Sequence, residues 1–164
     1  MKIKISGDID EEMLKGILEQ IREYKAGEGL IIEVDSLGGD ILIAEKICDI
    51  LYFPKEEFGD DIVTYNSGNV CSAATTIFLL GDARIFDPVK GGFVIHFPYI
   101  EKLTGTSDDL IEAAVDLVNI EESLIDLYTS FGYEDREKVR ALMYEDRPLT
   151  KEELVEMGFV TELV

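Results

Sequence analysis

The sequence predicts an α/β protein with one domain, and two observations carry that prediction. Short apolar segments, such as residues 30–34, are typical of strands buried in a parallel sheet. These segments alternate along the chain with stretches whose apolar residues recur at helical spacing. A chain of 164 residues, 46% of them hydrophobic, is long enough for one core and too short for two. We therefore expect a single domain over residues 1–164.

The chain opens with a predicted strand and helix. Residues 2–6 alternate polar residues with isoleucine, as in a half-buried strand. The apolar residues that follow recur at helical spacing, and Asp8 or Asp10 is the candidate helix cap. Gly27 and Gly29 form the predicted end of this helix.

The second predicted strand, 30–34, leads directly into a turn at 35–40 that contains two adjacent glycines. Paired glycines allow a sharp turn with free N–H groups, although an ordinary strand–helix turn has the same composition. The third glycine of a dinucleotide-binding turn is absent. A helix over 41–51 follows, and residues 52–61, with a proline, a glycine and four acids, indicate an exposed loop.

The third strand and helix flank the serine on which the functional prediction depends. An apolar strand at 62–65 leads to a turn at 67–69, and a helix of small residues begins near Ser72. A serine at such a turn is exposed, so its hydroxyl can act as a nucleophile and nearby N–H groups can hold an oxyanion. Alternatively, Ser72 only caps the helix. Parallel strand order would place this turn beside the turn at 35–40.

Residues 83–106 add two strands and a linker. Segments 83–86 and 92–97 are predicted strands, and the single histidine of the chain, His96, lies at the end of the second. A histidine there is either structural or catalytic, and its ring needs a polar partner once the strand is buried. Residues 99–106 are predicted to link this strand to the helical part of the chain.

The C-terminal part is predicted to be mainly helical. A long helix from 107 to about 131 carries an apolar stripe that needs a partner surface. A shorter helix over 135–142, a capped helix over 150–157 and an edge strand over 160–164 complete the chain.

The charge balance disfavours several classes of ligand. With 15 basic and 35 acidic residues the net charge is -20, which disfavours nucleic acid. One histidine excludes a polyhistidine site, and Cys48 and Cys71 have no metal-ligand spacing, so neither a metal nor a cofactor is expected. Because no apolar run is long enough to span a membrane and no signal peptide is evident, we expect a cytoplasmic protein.

Several motifs together resemble those of the ClpP-type serine peptidases, a branch of the crotonase-like superfold. The motifs are Ser36-Leu-Gly-Gly39, Gly68-Asn-Val-Cys-Ser-Ala-Ala74, Ile95-His-Phe-Pro98, Asp146-Arg-Pro-Leu-Thr-Lys-Glu-Glu-Leu154 and Gly158-Phe-Val160. They follow the family's order over nearly the whole chain. The Gly-Gly-Asp, Ser-Ala-Ala and Arg-Ala-Leu-Met segments are similar to the short head (capsid) maturation proteases of phages and prophages.

This resemblance implies a ClpP/crotonase-like spiral of β-β-α units and a catalytic role for five residues. Ser72 would attack the scissile carbonyl, His96 would take its proton, and Asp146 would orient the imidazole. The N–H groups of Gly39 and Ala73 would form the oxyanion hole. The implied function is a serine endopeptidase that cleaves unfolded or flexible proteins, with phage or prophage head proteins as candidate substrates.

The resemblance also implies how substrate would bind. An extended peptide would add as a strand near Gly38, Gly92, Tyr99 and Ile100. No metal or nucleotide would take part in hydrolysis, because the triad and the backbone N–H groups supply the mechanism.

The implied partners are further copies of this chain. In ClpP-like proteins the handle segment, here about 99–131, packs between stacked rings, so a homo-oligomer of heptameric or stacked rings is expected. Leu117, Leu124 and Tyr128 are the candidate contacts. Almost nothing precedes the first strand, which disfavours docking to an ATPase partner. The expected location is the cytoplasm of a bacterium or of a phage-infected host cell.

Three departures from the family pattern leave alternatives open. Leu37 replaces a proline, Cys71 replaces an alanine and is interpreted as a small buried side chain, and Glu145 could take the acid role of Asp146. One alternative function is a crotonase-type acyl-CoA enzyme, which uses oxyanion N–H groups without a triad. Another is a catalytically silent, ring-forming assembly protein.

Overall fold

A computed structural model describes residues 1–133 and 135–164. The elements, in chain order, are β1 (Lys2–Ser6), α1 (Glu11–Ile21), β2 (Leu30–Ser36), α2 (Ile41–Phe58), β3 (Ile62–Cys71), α3 (Ala73–Phe78), β4 (Ala83–Phe86), β5 (Phe93–Val94), α4 (Ser107–Thr129), α5 (Arg136–Glu145), α6 (Lys151–Glu156) and β6 (Glu162–Leu163).

The strands form one sheet in the order β1-β2-β3-β4-β6, and β5 pairs with β3 beyond the end of the β3–β4 ladder. Every ladder between these strands is parallel, and helices connect successive strands in the first half of the chain. A parallel sheet of this kind needs its connecting helices for cover. The predicted α/β class is therefore confirmed, and the edge position predicted for the last strand is confirmed as well.

The core lies between the sheet and the helices. Alternate residues of β1, Ile3 and Ile5, are fully buried, as the polar–apolar alternation predicted. An aromatic cluster packs around β5. The centroid of the Phe93 ring lies 5.6 Å from that of Phe78 and 5.5 Å from that of Phe159. Each of these side chains contributes about 1.5–3 kcal/mol through burial, so β5 is held firmly although it is short.

Helix α2 is longer than predicted, because residues 52–58 of the predicted loop are helical. The missing N–H of Pro54 removes one backbone hydrogen bond, but the proline is buried and the helix continues to Phe58. The Phe58 ring stacks on Tyr24 at 6.2 Å, which compensates for that loss. Gly59, with φ of 72°, ends the helix and donates its N–H to the Lys55 carbonyl.

Strand β3 is also longer than predicted and has no turn at 67–69. The Asp35 carboxylate accepts the N–H of Asn69 at 3.0 Å and lies where a Cβ on residue 68 would be. Gly68 is the residue that leaves room for this side chain, so the strand continues past it to Cys71. The glycine that suggested a turn thus allows a close approach between β2 and β3.

Two other element ends differ from prediction. Helix α1, capped by Asp10, ends at Ile21 instead of at the predicted glycines, because the Asp60 carboxylate holds the following turn by accepting the N–H of Gly27 at 2.8 Å. The strand predicted at 92–97 pairs only over Phe93–Val94.

Helix α4 projects from the domain at its N-terminal half. It is capped by Thr106, whose side chain and Asp109 form a capping box. Apolar side chains of the N-terminal half are exposed: Leu110, Ile111, Val115 and Val118. The C-terminal half packs on the core through Leu124, Ile125 and Tyr128. Within the described chain, α4 and the other helices lack the combination of length and apolar composition that a membrane span requires.

Candidate active site

Ser72 occupies a strained turn between β3 and α3. Its backbone has φ of 54° and ψ of -130°, an unusual conformation for a residue other than glycine. Its N–H donates to the Val94 carbonyl at 2.9 Å, and its side chain makes no capping hydrogen bond to α3. The interpretation of Ser72 as a helix cap is therefore wrong. Strain of this kind costs about 1–3 kcal/mol, and it holds the hydroxyl away from the helix backbone.

The two-glycine turn after β2 lies against Ser72, because β2 and β3 are adjacent and parallel. A Cβ on Gly38 would lie 2.6 Å from the Ser72 Cβ, and one on Gly39 would lie 2.4 Å from the Ile9 carbonyl oxygen. Both positions have positive φ, so a side chain at either would be strained as well as crowded. The predicted juxtaposition of the two turns is thus present.

The backbone N–H groups of Gly39 and Ala73 are available for a ligand. Around Gly39, the hydrogen bonds to Ile9 use the carbonyl of Gly38 and the N–H of Asp40, which leaves the Gly39 N–H without an acceptor among the described residues. Ala73 is the first residue of α3, so its N–H has no acceptor within the helix. Both residues line the same cleft as Ser72.

His96 lines this cleft and is half-buried. It follows β5, whose Val94 carbonyl accepts the Ser72 N–H, so the two side chains are carried by segments that are bonded together. The His96 Nδ1 lies 2.7 Å from the carbonyl oxygen of Phe97, and its ring centroid lies 5.9 Å from that of Tyr99. Among the described residues, no hydrogen bond joins His96 to Ser72 or to Asp146.

Asp146 lies on the segment that pairs with β5 from the other side. Val94 and Pro148 form an antiparallel bridge, and the Leu149 N–H donates to the Phe93 carbonyl at 2.8 Å. Continued by two residues along each segment, the register of this bridge would bring Asp146 level with His96. Asp146 has φ of 46°, is exposed, and ends α5 in a left-handed conformation.

The neighbouring Glu145 is engaged elsewhere. Its carboxylate pairs with Arg147 at 2.6 Å, and Arg147 also forms two bonds of 2.8 and 2.7 Å with Glu153. The Arg147 guanidinium lowers the pKa of Glu153 to about 2. Glu145 is thus bound to Arg147, whereas Asp146 takes part in no ion pair in the described part of the chain.

The cleft has a volume of about 620 Å³ and is lined by both polar and apolar residues. Leu37 lines it from the turn after β2, and Ile41 and Leu42 line it from α2. Leu117, Ile120 and Leu124 line it from α4. Asp40 and Asp116 are the carboxylates among the lining residues. Such a cleft suits an apolar side chain and disfavours an anionic group.

The four residues predicted to bind substrate lie in different places. Tyr99 and Ile100 line the cleft, and Gly38 lies against Ser72. Gly92 is a correction to the sequence prediction, because its backbone is already paired within the scaffold. Its N–H donates to the Asn69 side chain at 3.0 Å, and its carbonyl accepts the Val70 N–H at 2.9 Å.

Sequence reasoning missed the contact between Thr75 and Tyr128 beside the turn at Ser72. The Tyr128 hydroxyl is hydrogen-bonded to the Thr75 hydroxyl at 2.8 Å, although the sequence had suggested that Tyr128 faces another subunit. Tyr128 and Leu124 are buried within the chain and are therefore wrong as candidate contacts between subunits. A tyrosine in an apolar stripe always needs a polar partner when buried, but helical spacing cannot identify that partner.

Cys71 precedes Ser72 in the chain. Burial raises the pKa of its thiol, which disfavours the reactive thiolate. The side chain is half-buried, whereas the sequence interpretation was a small buried side chain. In residues 1–133 and 135–164, no group of three or more His, Cys, Asp or Glu side chains is placed to hold a metal ion.

Comparison with known proteins places this cleft in a family context. The family model described as "Clp protease" matches residues 1–164. The chain is 27% identical over 161 residues to the ATP-dependent Clp protease proteolytic subunit 4 of Streptomyces avermitilis, covering 95% of this chain and 69% of that protein. It is 25% identical over 161 residues to the ATP-dependent Clp protease proteolytic subunit 2 of Streptomyces coelicolor, covering 95% of this chain and 72% of that protein. The chain therefore belongs to the Clp protease family.

Proposed function

We propose that this protein is a serine endopeptidase with Ser72 as its nucleophile. One observation carries the proposal: the strained Ser72 turn, the two-glycine turn and His96 all border one cleft. The conformation of Ser72 leaves its hydroxyl free of the helix cap, which is the condition a nucleophile needs. Membership of the Clp protease family supports the same assignment.

In the proposed mechanism, the Ser72 oxygen attacks the scissile carbonyl and the His96 imidazole takes the hydroxyl proton. The N–H groups of Gly39 and Ala73 stabilise the negative charge that develops on the carbonyl oxygen. His96 then donates the proton to the departing amine, which leaves an acyl-enzyme. A water molecule attacks the acyl carbonyl by the same route, giving the carboxylic acid and restoring Ser72.

Productive alignment requires a change at His96. Its Nδ1 would exchange the Phe97 carbonyl for the Asp146 carboxylate, and the bridge between Val94 and Pro148 supports this pairing. Asp146 would then hold the imidazole in the tautomer that accepts a proton from Ser72. Glu145 is less suitable for this role, because Arg147 already binds it.

For substrate, we propose extended segments of unfolded or flexible protein. Tyr99 and Ile100 border the cleft and lie on a segment that follows β5, so a peptide there could pair with the backbone as an added strand. Head proteins of a phage or prophage are the proposed biological substrates, and this rests on the motif resemblance alone. We propose that cleavage of short peptides needs neither metal nor nucleotide, although both relatives are described as ATP-dependent.

We further propose that residues 1–164 form one peptidase domain that assembles into rings, with residues 99–131 as the handle. The exposed apolar side chains of α4 support self-association, since Ile111 is 63% exposed and Val115 and Val118 are each more than half exposed. Both relatives are described as proteolytic subunits, which also supports an assembly.

A second candidate is a catalytically silent assembly protein. The bond between the His96 Nδ1 and the Phe97 carbonyl favours it, because that bond occupies the nitrogen that a triad acid would hold. An acyl-CoA enzyme is less well supported, since the residues described as lining the cleft include two carboxylates and no lysine or arginine to bind phosphate.

Peptide hydrolysis by matched variants tests the proposal. Wild type should cleave short fluorogenic peptides and an unfolded protein, whereas Ser72→Ala and His96→Ala should each lose about 10⁴-fold or more in kcat. Ser123→Ala is the matched control, because Ser123 is exposed on α4 and is not one of the residues that line the cleft. Wild-type rates equal to those of Ser72→Ala would favour the silent assembly protein.

A further inference from the structure

We infer that Tyr128 and Thr75 are positioning residues that orient the peptide group between Ser72 and Ala73. This inference rests on the proposed function, in which the N–H of that peptide group stabilises the oxyanion. The two side chains link helix α4 to the turn at Ser72 through two hydrogen bonds.

The direction of each hydrogen bond follows from the chemistry of the groups. The Thr75 hydroxyl lies 2.6 Å from the Ser72 carbonyl oxygen and 2.8 Å from the Tyr128 hydroxyl. A carbonyl oxygen can only accept, so the single hydroxyl proton of Thr75 is donated to Ser72. The Tyr128 hydroxyl must therefore donate to Thr75. The chain of donation runs from Tyr128 through Thr75 to the carbonyl of Ser72.

Holding this carbonyl also determines the direction of the Ala73 N–H. The two groups belong to one planar trans peptide, so they point in opposite directions and turn together. The Ser72 carbonyl accepts a second bond, from the Thr75 N–H at 2.9 Å. These two bonds over-determine a peptide whose first residue is strained, as a stable strained turn requires.

Burial makes the two hydroxyl bonds effective. Thr75 is 0% exposed and Tyr128 is 1% exposed, so water does not compete for either hydroxyl. Consecutive hydrogen bonds in such surroundings polarise one another, and polarisation of the carbonyl makes the N–H of the same peptide a better donor. Burial raises the pKa of Tyr128 to about 12, so its hydroxyl remains a donor at neutral pH.

The neighbouring Thr76 supplies a matched comparison. It is a buried threonine on the same helix, but its hydroxyl donates to the Ala73 carbonyl at 2.8 Å instead of to Ser72. Substituting Thr76 removes a similar buried bond without touching the peptide that carries the Ala73 N–H. If kcat falls in Thr75→Val but not in Thr76→Val, the cause is misorientation of that peptide and not general destabilisation of α3.

The test compares Tyr128→Phe, Thr75→Val, Thr75→Ser and the control Thr76→Val in peptide hydrolysis, with kcat and KM measured separately. Loss of a whole oxyanion donor reduces kcat by about 10²–10³-fold, so misorientation should cost less: about 3–10-fold for Tyr128→Phe and about 10–100-fold for Thr75→Val. KM should stay within about twofold, because the effect is confined to the transition state. Thr75→Ser keeps the hydroxyl and should restore most of the activity.

A second readout does not depend on catalysis. In protein labelled with ¹⁵N-alanine, the Ala73 amide signal should shift in Tyr128→Phe and Thr75→Val, and stay at its wild-type position in Thr75→Ser. An Ala73 signal that does not move, or a wild-type kcat in both variants while Ser72→Ala is inactive, would overturn the inference and leave the peptidase intact. If wild type shows no hydrolysis that depends on Ser72, the proposed function is overturned instead. A shifted Ala73 signal would then still support the orientation of the Ser72–Ala73 peptide by Tyr128 and Thr75.

Discussion

Asp146→Asn is the substitution that separates the charge of the proposed triad acid from its backbone role. Asp146 has φ of 46°, and asparagine is among the few residues that tolerate this left-handed conformation. Asp146→Ala would add backbone strain to the loss of the carboxylate. Asparagine preserves both the conformation and the size of the side chain, so a change in rate reports the lost charge.

The expected loss is about 10⁴-fold in kcat, which corresponds to about 5.5 kcal/mol of activation free energy. The physical reason is that an amide favours the wrong imidazole tautomer and does not stabilise the imidazolium. Glu145→Gln is the matched control, one residue away. It removes one ion pair with Arg147, but Glu153 still holds that guanidinium, so kcat should change less than about threefold.

The assay is the initial rate of hydrolysis of a short fluorogenic peptide over a range of concentrations, with thermal unfolding of each variant as a check on folding. The ranking of the two variants decides the assignment. A larger loss in Glu145→Gln than in Asp146→Asn would move the acid role to Glu145. Nearly wild-type rates in both would refute the register argument that places a carboxylate opposite His96.

Three further predictions concern stability, assembly and cofactor need. Because Arg147 lowers the pKa of Glu153 to about 2, this pair should stabilise the fold fully above pH 4.5 and progressively less as the pH falls toward 2. Urea unfolding of Glu153→Gln should therefore differ from wild type most above pH 4.5, and the difference should vanish below about pH 2. Val115→Glu/Val118→Glu should dissociate the oligomer in analytical ultracentrifugation, unlike the exposed control Ser123→Glu, and a monomeric wild type would contradict this. EDTA should leave peptide hydrolysis unchanged, and activity restored by a divalent ion would argue for a metal.

The sequence could predict the two-glycine turn and the serine at the start of α3, because residue type limits what these positions can do, although it placed the second turn at 67–69 instead of at Ser72. Gly38 and Gly39 occupy positive φ where a Cβ would collide with Ser72 and Ile9, so glycine is required there. Ser72 stands where a strand must reverse into a helix, and the order of strands brings the turns together. These are local constraints, and local constraints are visible in a single sequence.

Features that depend on tertiary partners were not predictable in the same way. Helical spacing placed Tyr128 in an apolar stripe, but only the fold shows that Thr75 receives its hydroxyl proton. Gly92 resembled a free strand edge, and the Asn69 side chain that occupies its N–H comes from a different strand. Pro54 suggested a loop, although packing of Phe58 on Tyr24 keeps the segment helical.

The most direct test of the nucleophile is labelling with a fluorophosphonate, followed by mass mapping of the modified peptide. A serine activated by a histidine should react to give one covalent adduct per chain, located on Ser72. Ser72→Ala should give no adduct, and His96→Ala should react far more slowly. An adduct on another residue, or peptide hydrolysis by a protein whose Ser72 stays unmodified, would contradict the proposed mechanism.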